Sequence, residues 1–196
     1  MKKTLCAALA LTLVFAFAAC GQGSENPGGV TPSDLMGTEP PATPTPDPEP
    51  LDSLSICGIP VIRGGQLSGL GYEGMDYADG TLTINALELE REDQAAPIIS
   101  FGGGDLEIIV VGECSIVTSG TDGIVAEDGS ALSFSGEGSL SISTEGAAAI
   151  DVSGAVTVGC ALSATGETVC TSENVTAAEG FAVTANDESS LTVSAA

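Results

Sequence analysis

The chain of 196 residues has no histidine and no tryptophan, and sets 4 lysines and arginines against 27 aspartates and glutamates. Each shortage excludes a class of chemistry. Without histidine there is no Ser-His or Cys-His nucleophile pair. A net charge of −23 repels phosphate backbones, so no nucleic-acid partner is expected. Two of the four cations, Lys2 and Lys3, stand at the extreme N-terminus, and only Arg63 and Arg91 follow. Beyond the first twenty residues no stretch of ten carries the apolar period of an amphipathic helix. The chain is nevertheless 43% apolar and only 16% charged, which is not the composition of a wholly disordered acidic polymer.

The first segment is a targeting signal. "MKK" is a basic start, "TLCAALALTLVFAFA" an apolar run, and "FAAC" ends it at Cys20. Small residues Ala18 and Ala19 directly before Cys20 and Gly21 are similar to the lipobox of bacterial lipoproteins, with Phe17 where leucine is commonest. The resemblance implies lipidation of Cys20, cleavage after residue 19, and attachment to the extracytoplasmic face of the cell membrane. An ordinary secretory signal or an uncleaved anchor is the alternative. Residues 21–52 hold eight of the ten prolines, and "PPATPTPDPEP" is expected to be an extended, acidic tether.

From Ser53 the composition changes. Proline nearly vanishes, and short apolar–polar alternations appear between Gly, Asp, Asn and Ser, the signature of strands. "LSICGIPVIRGG" reads as a strand pair. Further strands are expected at 106–111, 115–118, 131–135 and 139–143. "GECSIVTSG" at 112–120 and "GEGSLSIST" at 136–144 follow one template 24 residues apart. Segments starting at Asp105, Ala131 and Ala155 repeat after 26 and 24 residues. A period in this range points to stacked supersecondary units. The expected fold is all-β: a right-handed parallel β-helix over 53–196 with about six short coils. Its buried columns would be Leu, Ile, Val, Ala and Phe, with Ser, Thr, Glu and Asp outside. An antiparallel sandwich is the alternative. The chain stops on a strand, "SSLTVSAA", which implies a truncated chain, an edge paired with a partner, or an edge hidden by the final residues themselves.

Cys57, Cys114, Cys160 and Cys170 remain beyond the signal, which itself holds Cys6 and Cys20. No CxxC spacing suits zinc. Outside the cytosol a disulfide is permitted, with Cys160–Cys170 the favoured pairing. The competing reading is free thiols used as small apolar fillers.

The run "CGIPVIRGG…YEGMDYADGTLTINALELE…ISFGGGDLEIIVVGECSIV…GIVAEDGSALSFSGEGSLSIS" resembles a repeat-bearing domain of clostridial (Firmicutes) surface lipoproteins and related secreted proteins of gut bacteria. Residues 57–143 carry the likeness, and 144–196 follow it in style. It implies a right-handed parallel β-helix of the carbohydrate-binding type, extracellular display, and calcium in some members. No contact residue transfers with it.

Candidate chemistry is therefore binding rather than catalysis. Carboxylate pairs such as Glu92-Asp93 suit glycoside hydrolysis in principle, but in so acidic a chain they read as solvated turns. For sugars, Tyr72 and Tyr77 in "GYEGMDYADG" are the candidate platforms, while Phe101 and Phe134 read as core. For calcium, "EGMDYADG" offers Glu73, Asp76 and Asp79, and "TDGIVAEDGS" offers Asp122, Glu127 and Asp128. Solvent-facing acidic loops are the plainer reading of both. Glu88, Glu90 and Glu92 alternate along one strand face about 7 Å apart. The expected function is a non-catalytic surface module that binds extracellular polysaccharide. The alternative is a structural or adhesive module that meets a surface protein through a strand edge or flat face, and a polysaccharide-degrading enzyme is a remote third.

Overall fold

The structure, a computed structural model, describes residues 51–67, 72–92, 95–127, 129–169 and 175–196. All lie in one compact unit, Thr45–Ala196. The signal, Cys20, most of the tether, Asp128 and Cys170 fall outside the described residues.

The chain enters through hairpins. β1 (Ser53–Ile56), β2 (Ile59–Arg63) and β3 (Gln66–Leu67) run antiparallel. β4 (Met75–Ala78) pairs antiparallel with β5 (Thr81–Asn85). The linking dipeptides Cys57-Gly58, Gly64-Gly65 and Asp79-Gly80 have positive φ at both positions, +49/+75, +55/+71 and +49/+83. That is the two-residue type I′ geometry, whose twist matches the flanking strands.

After β6 (Glu88–Glu92) the chain coils. β7 (Ile99–Gly102), β8 (Leu106–Val111) and β9 (Glu113–Ser119) make one full turn. β10 (Ile124–Ala126), β11 (Leu132–Ser135) and β12 (Ser139–Glu145) make the next. β13 (Ile150–Asp151), β14 (Val156–Val158) and β15 (Ala161–Thr165) make the third. β16 (Val175–Ala177) begins a fourth, which ends in the antiparallel pair β17 (Phe181–Asp187) and β18 (Ser190–Ala195). Three six-stranded sheets result: β13-β10-β7-β1-β2-β3, β16-β14-β11-β8-β5-β4 and β17-β18-β15-β12-β9-β6, here the first, second and third sheets.

The repeat read from the sequence is the stacking register. Leu106 pairs with Leu132 and Leu132 with Val156, offsets of 26 and 24, all in parallel. Like side chains therefore lie over like. Leu82, Ile108, Phe134 and Val158 form one buried column, and Leu89, Ile116, Ile142 and Ala164 another. A single turn cannot enclose such a column; burial comes from its neighbours.

Two expectations need correction. About three turns form rather than six, because alternation does not distinguish parallel from antiparallel strands, and β1–β4 and β17–β18 are hairpins. The two Gly-Glu templates are also not in register at 24: Cys114 pairs with Leu140, an offset of 26. The extra two residues, Gly136 and Glu137, form the corner before β12. Gly136 has φ +110, and a Cβ there would overlap the Val110 carbonyl of the turn beneath. An even slip preserves the inward–outward phase, which is why the template looked intact.

Corners between the third and first sheets share another device. Thr118 and Thr144 occupy equivalent positions, are buried, and donate their hydroxyls to the carbonyls of Thr121 (3.2 Å) and Ala147 (2.8 Å). The final strand does not stand open. β18 pairs antiparallel with β15 and buries Leu191 and Val193.

Candidate functional site

The outward face of the third sheet repeats as regularly as the core. Glu88 on β6 stands beside Ser115 on β9, then Ser141 on β12, Ser163 on β15 and Thr192 on β18. Two residues along, the next row reads Glu90, Val117, Ser143, Thr165 and Ser190. Each row crosses five strands, with neighbours about 4.8 Å apart. Within the second row Thr165 donates to the Ser143 hydroxyl at 3.4 Å. A groove of about 480 Å³ runs over the first row, and Glu113, Ser139 and Ala161 border it on the other side. Ser115, Ser141, Ser163 and Thr192 line it with neutral hydroxyls, Glu88 and Glu113 bring carboxylates to its β6–β9 end, and Cys114, Leu140, Leu162 and Val193 line it between the two outward rows. Hydroxyls both donate and accept, so the floor suits a ligand that does the same.

A second hollow of about 200 Å³ lies further along the sheet, between Glu90, Glu92, Glu145 and Ser119. Arg91 on β6 also lines it, and its Nε is buried with no hydrogen-bond partner among the described residues. In register terms Arg91 heads the inward row of Thr118 and Thr144, so it is a charge turned inward on an edge strand.

The sequence candidates lie elsewhere. The Tyr72 ring packs on the core, and its hydroxyl donates to the Ile56 carbonyl at 3.3 Å. Burial and then the neighbouring Cys57 push its ionisation up. The Tyr77 ring also packs on the core, and its hydroxyl accepts the Gly80 N–H at 3.1 Å. Burial raises its ionisation too. Tyr72 thus serves the end of β1 and Tyr77 the β4–β5 turn, and neither lines the groove.

The acidic candidates divide between exposure and staple work. Glu73 and Asp76 are exposed, and Asp79 is the first residue of a type I′ turn. The Asp122 carboxylate accepts the Ala148 N–H of the next turn at 2.8 Å. Asp105 does the same for Ala131 at 2.9 Å, also 26 residues on. Glu127 is exposed with its side chain against Gly102. Among the described residues no three His, Cys, Asp or Glu side chains come together to hold a metal ion. Cys57, Cys114 and Cys160 are free thiols. Cys114 and Cys160 are buried in the core, and burial, with Cys114 nearby, pushes the Cys160 thiol up to about 11.

Sequence reading missed the hydroxyl rows because it followed Glu88, Glu90 and Glu92 along one strand. The structure makes each glutamate the head of a different cross-strand row. The readable signal was the repeated Ser at 115, 141 and 163, visible once the turns are aligned at 26 and 22. Comparison with protein-family models, curated proteins and solved structures finds no match to the chain. Of the clostridial resemblance, the β-solenoid fold is what the structure bears out.

Proposed function

We propose that this chain is a non-catalytic binding module displayed on the extracytoplasmic face of the membrane through lipid on Cys20, with an extracellular polysaccharide as its ligand. The observation that carries the reading is the groove over Glu88, Ser115, Ser141, Ser163 and Thr192. A row of neutral hydroxyls at strand spacing matches the alternating donors and acceptors of a sugar chain. The net charge of −23, with Glu88 and Glu113 at one end of the groove, favours neutral glycans, since an anionic chain would meet a field of the same sign unless a cation bridges it. Calcium belongs to the proposal in that bridging role. The absence of histidine supports binding without turnover. The solenoid is read as right-handed, the hand of nearly all parallel crossovers.

Glycan-array binding with and without calcium tests the reading. Ser141→Glu with Ser163→Glu should abolish binding while leaving the far-UV spectrum intact. Binding that survives this double variant but disappears with Tyr72→Ala or Tyr77→Ala would move the site to the tyrosines. No binding to any glycan, or release of reducing ends, would end it.

A further inference from the structure

The six ends of the three sheets are not equally defended. The first sheet ends in β3 and β13, each two residues long, and the second in β4 and β16, four and three residues long. The third sheet ends at one side in β6, whose Glu88, Glu90 and Glu92 face outward while Arg91 turns inward. Short edges and edge charges are the usual means of preventing strand addition. The other end of the third sheet is β17, seven residues, "FAVTAND". It has no proline, no lysine, and no carboxylate before its last position. No described strand pairs with its outer side. Val183 is 37% exposed there. The one irregularity is a bulge between Val183 and Ala185, where the Thr184 hydroxyl donates to the Thr192 carbonyl at 3.3 Å. It bends the strand, the one edge protection β17 carries, and leaves Phe181–Val183 as a regular run before it.

Carboxylates stand at both ends of this edge. Glu179 precedes β17, and Asp187 and Glu188 follow its apolar run, all exposed. Glu167 joins the far end, because the turn carbonyls of Glu188 and Ser189 accept the N–H groups of Val169 and Gly166 at 3.0 and 3.1 Å. A backbone ladder that no described strand pairs thus lies between two negative poles. A second copy of this chain, itself at −23, would approach against its own charge.

We infer that β17 is a strand-addition site for an extended cationic peptide segment of a partner protein, with main-chain pairing along Phe181–Asn186 and lysines or arginines at either end meeting Glu179 and Asp187–Glu188. The backbone supplies affinity, and the flanking charges select the partner. The site is independent of the hydroxyl groove.

The test adds three labelled peptides to the full chain: an alternating Thr-Val strand flanked by lysines, the same strand flanked by glutamates, and the lysine version with alternate amides N-methylated. Anisotropy reads binding, and amide hydrogen exchange reads its place. The lysine strand should bind, weaken as salt rises, and slow exchange in β17 but not β6. The glutamate strand should not bind, and the N-methylated one should bind more than about tenfold more weakly. Equal binding of the N-methylated peptide would reduce the effect to bulk charge and overturn the inference. So would protection outside β17, absence of binding, or self-association of the chain that protects the same amides.

Discussion

Adjacent residues of β12 should respond to alanine in opposite ways. Ile142 is 1% exposed and stacks between Ile116 and Ala164, whereas Ser141 is exposed on the hydroxyl face. Ile142→Ala removes three carbon groups, worth about 2.4 kcal/mol at roughly 0.8 each. The residual cavity raises the cost to about 3–4 kcal/mol, because the flanking rungs are held by their own cross-strand bonds and collapse only in part. Ser141→Ala removes a solvated hydroxyl and should change stability by less than about 0.5 kcal/mol. Urea unfolding followed by far-UV circular dichroism checks both. With a slope of about 2 kcal/mol per molar, the Ile142 variant should lose about 1.5–2 M from its midpoint, and the Ser141 variant should be almost unmoved. A one-residue shift of β12 exchanges the two faces. Equal costs, or the larger one at Ser141, would therefore refute the stacking register itself.

Asp122→Ala takes away the acceptor that ties Ala148 to the turn beneath, and should cost about 1–2 kcal/mol by the same assay, with Asp122→Asn costing less. The Asp187 carboxyl is held below the ordinary range by the Ser189 N–H first, then by the Ser190 and Ser189 hydroxyls. A depressed folded value means that its contribution is full above the usual aspartate pKa of about 3.9 and fades as pH falls through the folded value. Protection of β17 and β18 amides, taken relative to the intrinsic exchange rate at each pH, should fall over that acidic window, and Asp187→Asn should remove that fall.

The strands at 106–111 and 139–143 and the repeat at 105, 131 and 155 were legible because alternation and spacing are local properties. Turn count was not, since "LSICGIPVIRGG" alternates equally well in a hairpin and in a coil. The register of "GECSIVTSG" against "GEGSLSIST" was misleading because identical letters sat two residues out of phase, and the pairing of Cys114 with Leu140, with the close approaches at Gly136 and Gly138, distinguishes the alignments. The hydroxyl groove belongs to five separate strands, so no single window of sequence contains it. The staples of Asp105 and Asp122 were hidden for a similar reason: an acidic residue in a Gly-rich loop looks solvated until its N–H donor, a full turn away, is located. The three described thiols carry no bridge, and Cys114 and Cys160 fill the core as small apolar residues do.

The hairpins at the two ends of the solenoid lie on different sheets: the first and second carry them at the entry, the third at the exit. Each hairpin ends the parallel stacking of its own sheet on that side. Between those stops its size is adjustable. Duplicating one 26-residue winding such as 112–137 would add a rung of about 4.8 Å to every sheet, the hydroxyl floor included, without disturbing either terminus.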